Sequence, residues 1–162
     1  MVNKLRANKG SGNIIDRDDW ETPQQLFGLL HNQYNFQFDC CADKDNSKCN
    51  YWSEDFLDEI ESQDSMSWMN PPFSKALHMF DHFFKVIKQG VCIYRCDNME
   101  TKLWQEVILK NATWIFIPKG RINYEGKKGN WAVFPSALIG FNVEPIKDMD
   151  GTTLFVIRSK NG

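Results

Sequence analysis

The chain has 162 residues, 42% of them apolar and 25% charged, with a net charge of −2 at pH 7. That is enough for one domain with a real core, burying roughly two-thirds of the unfolded surface, and the charge argues against a uniformly basic nucleic-acid-binding surface. No apolar run approaches the roughly 20 residues of a membrane span, and the polar stretch 1–19 lacks the apolar core of a signal peptide, so an intracellular soluble protein is expected.

Residues 1–15 are polar and contain Gly, Ser and Asn, which reads as a mobile arm; 16–162 reads as a single domain. Thr22-Pro23 predicts a helix start, with Thr as N-cap and Pro as first helical residue, and Leu26, Phe27, Leu29, Leu30 and Tyr34 follow at helical spacing. Phe36 to Cys40 alternates as a strand, Lys48 to Trp52 reads as a short second strand, and Met66 to Met69 as a third. Ser74 is the expected cap of a helix carrying Leu77, Phe80, Phe83, Phe84 and Ile87, stopped by Gly90.

Val91 to Tyr94 is a buried-type strand, Thr101 to Lys110 a helix on Leu103, Trp104, Val107 and Ile108, and Trp114 to Ile117 a strand. Arg121 to Glu125 is expected to pair locally across a turn at Gly126 to Asn130, and Ala132 to Phe141 and Thr153 to Ile157 close the chain as strands. Helix and strand alternate and then give way to strands, which suggests an α/β layered fold with antiparallel strands appended at one edge.

Five cysteines (Cys40, Cys41, Cys49, Cys92, Cys96) without C-x-x-C spacing signal neither a disulfide framework nor a zinc site. The absence of a Pro-Cys dipeptide argues against the covalent chemistry of cytosine C5 methylation. His78 and His82 stand at i and i+4, but no carboxylate completes an H-E-x-x-H motif, so a solvated helix face is expected and no metal is invoked.

Asn70-Pro71-Pro72-Phe73 is the most informative stretch. Two consecutive prolines fix two φ angles and remove two backbone donors, freeing carbonyls to face something other than a sheet neighbour. Asn70 adds a side-chain acceptor and Phe73 an exposed π face, the equipment to hold a planar group bearing an NH2. A rigid strand-to-helix turn would use the same residues. In α/β sheets ligands bind beyond the carboxyl ends of strands, where strand order reverses. The two candidate ends are Asp39-Cys40-Cys41-Ala42-Asp43 and Asn70-Pro71-Pro72-Phe73. With no glycine between Gly28 and Gly90, phosphate-cradling loops are excluded there. Asp39, Asp43 and Asp55 offer carboxylates to an ammonium, a sulfonium or ribose hydroxyls, or serve as caps. Lys119, Arg121, Lys127 and Lys128 form a local basic cluster suited to phosphate or base-edge contacts, or simply a solvated loop.

Trp20-Glu21-Thr22-Pro23-Gln24, Phe38-Asp39-Cys40-Cys41-Ala42-Asp43, Asn46, Lys48-Cys49, Tyr51, Asp55, Trp68 and Asn70-Pro71-Pro72-Phe73 occur in that order, followed by Arg95, Asp97, Thr101, Trp104, Gly120-Arg121 and Phe134-Pro135-Ser136-Ala137. This ordered set resembles the phage-type DNA N-6-adenine-methyltransferases, a small Dam-like group. The resemblance implies a reduced Rossmann-like S-adenosylmethionine-dependent methyltransferase fold, with a mixed sheet and antiparallel C-terminal strands. It also implies methyl transfer to the N6 amino group of adenine in double-stranded DNA, the base flipped, in a host-cell cytoplasm and on a phage- or prophage-encoded protein.

Catalytic roles are implied for Asn70, Pro71, Pro72 and Phe73. Cofactor roles are implied for Trp20, Thr22, Pro23, Asp39, Cys41, Ala42, Asp43, Asn46 and Asp55. Phe73 departs from the commoner Tyr, and the short Asp39–Asn70 interval implies that a strand or helix of the usual sheet is missing. The same loop suits cytosine N4, RNA or a glutamine side chain, and a non-catalytic DNA-binding or host-interaction protein on the same fold is the reading from another class.

Overall fold

A computed structural model describes residues 18, 20–126 and 134–158. The arm 1–15 and two of the basic residues, Lys127 and Lys128, lie outside the described residues. The first helix, α1 (Gln24–Tyr34), buries Phe27, Leu30 and Tyr34 and ends where Asn35 takes the left-handed conformation, its N–H returning to the His31 carbonyl. Pro23, not Thr22, is its N-cap residue, and it is the Glu125 carboxylate that accepts from the Gln24 N–H at 3.1 Å. Thr22 is occupied elsewhere.

Strands β1 (Phe38–Asp39), β2 (Tyr51–Trp52), β3 (Ser67–Met69) and β4 (Gly90–Arg95) run parallel, with β1 between β2 and β3. Strand β5 (Trp114–Pro118) is separated from β4 by the antiparallel β6 (Ser136–Phe141), and β7 (Gly151–Phe155) closes the far edge. The order is therefore β2-β1-β3-β4-β6-β5-β7. The expectation of antiparallel strands appended at one edge is corrected in part: β7 is such a strand, but β6 is wedged into the interior. Its six residues, Ser136 to Phe141, are apolar or small and all but the last are buried, the composition of a central strand.

The two faces carry separate cores. On one, the short α2 (Phe56–Glu59), α3 (Ala76–Val86) and a π-helical turn (Leu103–Ile108) continuing into α4 (Leu109–Asn111) cover Met69, Cys92, Ile115 and Ile139. On the other, α1 and the segment around Ile122 and Tyr124 cover Trp68, Ile93, Phe116 and Leu138. Trp104 sits in the π turn, fully buried, and its indole N–H donates to the Arg95 carbonyl at 3.2 Å. Ser74 does not cap α3: Pro72 opens a 3-10 turn (Phe73–Lys75) that leads into it. His82 is half-buried, with Nε2 2.6 Å from the Ile60 carbonyl and its ring edge-on to Phe56, so only His78 fits the solvated face expected for the pair.

The hairpin expected from Arg121 to Glu125 has its other arm outside the described residues. Glu125 exchanges two backbone hydrogen bonds with Glu21, at 2.8 and 3.0 Å.

Gly140 lies opposite Trp114 in the β5–β6 register, and a Cβ there would land inside the indole ring. Trp114 is fully buried and its N–H is held by the Val143 carbonyl, so the ring has nowhere to go. Gly140→Ala should lower stability by at least about 2 kcal/mol. Thermal unfolding should show this as a fall in Tm of roughly 4 °C or more; an unchanged Tm would contradict the packing described.

Candidate active site

Chain order reverses between β1 and β3: from β1 the sheet steps to β2 on one side and to β3 on the other. Ligands of open α/β sheets bind beyond the carboxyl ends of strands at such a point. Asp39 ends β1 and Asn70 follows β3, so the two segments singled out in the sequence stand side by side, Asp39 in register with Trp68. A cavity of about 390 Å³ opens there, within the size range of small-molecule sites, and a smaller one of about 120 Å³ adjoins it. Both are lined by Asp18, Cys41, Asn46 and Asn70.

Asn70 is held by the segment that precedes α1. Its Nδ2 donates to the Trp20 carbonyl at 2.7 Å and to Thr22 Oγ1 at 3.1 Å. A backbone carbonyl only accepts, so the amide nitrogen must face it, and the oxygen is turned the other way. Among the described residues nothing donates to Asn70 Oδ1. Asp18 then fixes the far end of the loop, its two carboxylate oxygens accepting from the Ser74 N–H at 3.0 Å and the Ser74 hydroxyl at 2.6 Å. Asp18 and residues 20–22 thus hold the loop at both ends, and the Glu21–Glu125 pairing secures the segment 20–22. Pro71 is buried and Pro72 half-buried; the Pro72 carbonyl is taken by the Lys75 N–H, whereas the Pro71 carbonyl meets no backbone donor among the described residues.

Phe73 is half-buried rather than exposed. Its ring packs edge-on to Tyr94 and Phe134, and the Arg95 guanidinium lies 5.4 Å from its centroid. Arg95 is itself locked by Asp97 through two hydrogen bonds of 2.7 and 2.6 Å, which hold the Asp97 carboxyl below its usual range.

Asp39 is buried, and its two oxygens accept from the backbone N–H groups of Cys41 and Lys48 at 3.2 and 3.0 Å. It therefore shapes the loop from 39 to 48 and also lines the smaller cavity. Burial outweighs these two donors and Lys48, and raises its pKa from 3.8 to about 6. Ala42, Asp43, Asn46 and Asp55 line the larger cavity, as does Cys41, whose thiol burial pushes well above the ordinary range. Asp43 and Asn46 also bond each other across a tight turn, each side chain accepting from the other's backbone N–H. Trp20 and Thr22 are buried beside the smaller cavity, while Pro23 lines neither.

Lys119 and Arg121 are exposed beyond the end of β5, which runs parallel to β3, so they stand at the cleft end of the sheet. Asp18, Lys75, Arg95 and Glu125 received no role from the sequence. Asp18 was hidden within an acidic run, Asp16 to Glu21, that composition reads as solvated.

The molecule is thus an α/β protein with a cleft at the reversal of strand order, where a fixed amide oxygen stands among carboxylates. The family model described as DNA N-6-adenine-methyltransferase (Dam) matches residues 11–141. The chain belongs to that family. A search of curated proteins found no match. Family membership implies DNA adenine N6-methyltransferase activity, with DNA as substrate and S-adenosylmethionine as methyl donor.

A buried acid whose pKa is raised favours the fold in its neutral form. The contribution of Asp39 is fully present below about pH 4 and is lost as pH rises through 6, on the order of 3 kcal/mol for a shift of this size. Urea unfolding should therefore show the stability of the wild type relative to Asp39→Asn to be greatest near pH 4 and to shrink by pH 7. A difference that grows with pH would contradict the burial of this carboxyl.

Proposed function

We propose that the protein transfers a methyl group from S-adenosylmethionine to the N6 amino group of adenine flipped out of duplex DNA, on a reduced Rossmann-like fold formed by a single domain. The observation that carries this reading is Asn70: both amide hydrogens are engaged and its oxygen is left to accept at the switch-point cleft. The lone pair of adenine's amino group is delocalised into the ring, so the nitrogen is a poor nucleophile. Asn70 Oδ1 and the Pro71 carbonyl accept its two hydrogens, favour pyramidal nitrogen and aim the lone pair. The contribution is positioning and electrostatic preorganisation. Phe73, held by Tyr94, Phe134 and Arg95, supplies the surface against which the flipped base rests.

The larger cavity suits the cofactor by its chemistry. Asp18, Asp43, Glu54 and Asp55 outnumber the one base, Lys75, while Ala42, Phe56, Leu57 and Met79 offer apolar contact. This lining favours a ligand carrying an ammonium and a sulfonium with a flat apolar ring, and disfavours a polyphosphate. When bound, S-adenosylmethionine supplies an electrophilic methyl group. Asp39, Cys41, Asn46, Trp20 and Thr22 border the smaller adjoining space. Pro23 contributes by placing the segment 20–22 before α1. Lys119 and Arg121, with Lys127 and Lys128 beyond the described residues, contact DNA phosphates or base edges near the cleft mouth. A phage or prophage origin and action in the host cytoplasm complete the reading.

Plasmid DNA incubated with methyl-labelled S-adenosylmethionine and digested to nucleosides should yield labelled N6-methyl-2′-deoxyadenosine. Labelled N4-methyl-2′-deoxycytidine would reassign the base, and no label, with calorimetric cofactor binding intact, would favour a non-catalytic DNA-binding protein. Asn70→Ala should lower the transfer rate by at least about 100-fold, the loss typical of one preorganised polar contact, while cofactor affinity measured by calorimetry stays within a few-fold. Substantial transfer by this variant would remove Asn70 from the catalytic role.

A further inference from the structure

Strand β7 is the last in the sheet, paired to β5 on one side and to no described residue on the other. Leu154, Phe155 and Ile157 are 50%, 62% and 92% exposed. From Gly151 to Ile157 the chain has neither a charge nor a proline, the devices that usually blunt an edge. The β5–β7 register, with bonds from the Val156 N–H to the Thr113 carbonyl (3.1 Å) and from the Lys119 N–H to the Asp150 carbonyl (2.9 Å), directs the backbone groups of even-numbered residues toward β5. Those of Gly151, Thr153, Phe155 and Ile157 face outward.

We propose that this edge binds a second copy of the chain, β7 against β7 in antiparallel pairing about a two-fold axis at Leu154. The outward groups lie symmetrically about Leu154. A single register therefore pairs Gly151 with the second copy's Ile157, and Thr153 with its Phe155, satisfying all of them in both copies. The side chains agree with that register: Ile157 comes to lie beside a glycine, Phe155 beside a β-branched threonine, and Leu154 beside its own copy.

The flanking charges agree as well, since Asp150 falls opposite Arg158. Arg158 spends Nε and one terminal nitrogen on the Lys110 and Ala112 carbonyls, which leaves further N–H donors for a carboxylate. Pairing β7 with the other edge is a poorer solution. Strand β2 has only two residues, too few to match the outward groups of β7.

The pairing is isologous and ends at two copies. Because the two β7 strands pair antiparallel, the clefts of the two copies open in opposite directions. A strand pair of this length buries less than the roughly 1,200 Å² of a stable complex, so association depends on concentration.

Sedimentation equilibrium of the full chain under reducing conditions should show monomer passing to dimer as concentration rises into the micromolar range. Thr153→Pro removes an outward N–H that β5 does not use, and Phe155→Lys places a charge on the edge. Both should remain monomeric with unchanged far-UV circular dichroism, and if one fails to fold the other decides. Under mild oxidation Leu154→Cys should form a covalent dimer that Thr152→Cys, whose counterpart is Val156, does not. A wild type that stays monomeric throughout, edge variants that dimerise as it does, open-ended polymers, or no cross-link at residue 154 would each overturn the proposal.

Discussion

The hydrogen bond from Asn70 Nδ2 to the Trp20 carbonyl joins segments 50 residues apart and gives the cleft its polarity. An amide side chain alone in a turn can present either end to a ligand. Against an obligatory acceptor it cannot, and with Thr22 taking the second hydrogen the amide has one productive orientation. The Trp20 carbonyl is in turn placed by its surroundings: the indole is buried edge-on to Tyr124 and Phe134, and the next residue is pinned to Glu125. Preorganisation here comes from strand β3, the segment 20–22 with Asp18, and the residues leading to Glu125.

The electrostatics of the cleft follow the same division. Asp39 and Asp18 spend their oxygens on neighbouring N–H and O–H groups, so they build the walls. Burial pushes Cys40, Cys41 and Cys92 thiols upward, which keeps them neutral and unsuited to nucleophilic attack. The remaining carboxylates, exposed at Asp43, Glu54 and Asp55, make the opening acidic. Lys119 and Arg121, beyond β5, provide basic charge at the same end of the sheet. On the proposed reading, an acidic cofactor pocket and a local basic pair at the same end of the sheet reconcile DNA methylation with a net charge of only −2.

Much of this was legible in the sequence because local physics decides it. Each strand overlaps a segment expected to be one, though β7 begins at Gly151 and ends at Phe155, two residues before the expected bounds, and the Pro-Pro pair marked the end of β3. Asp39 and Asn70 were each legible as a candidate strand end, and the parallel β1–β3 pairing sets them side by side. Three features were not legible. The wedging of β6 between β4 and β5 rests on contacts distant in sequence, which no window of residues encodes. Thr22-Pro23 carries a good capping signal, yet the Asn70 amide uses the hydroxyl, a tertiary bond displacing a local one. Phe73 reads as an exposed platform, and only the fold reveals Tyr94, Phe134 and Arg95 gathered around it.

The orientation of the Asn70 amide can be observed directly, without substrate or cofactor. In proton–nitrogen correlation spectra the two Asn70 side-chain N–H signals, assigned by their loss in Asn70→Ala, should be well separated and slow to exchange with solvent. Replacing Thr22 by valine should speed the exchange while the backbone spectrum of the sheet is retained. Two overlapping signals that exchange as fast as a surface amide, indifferent to Thr22, would contradict the account.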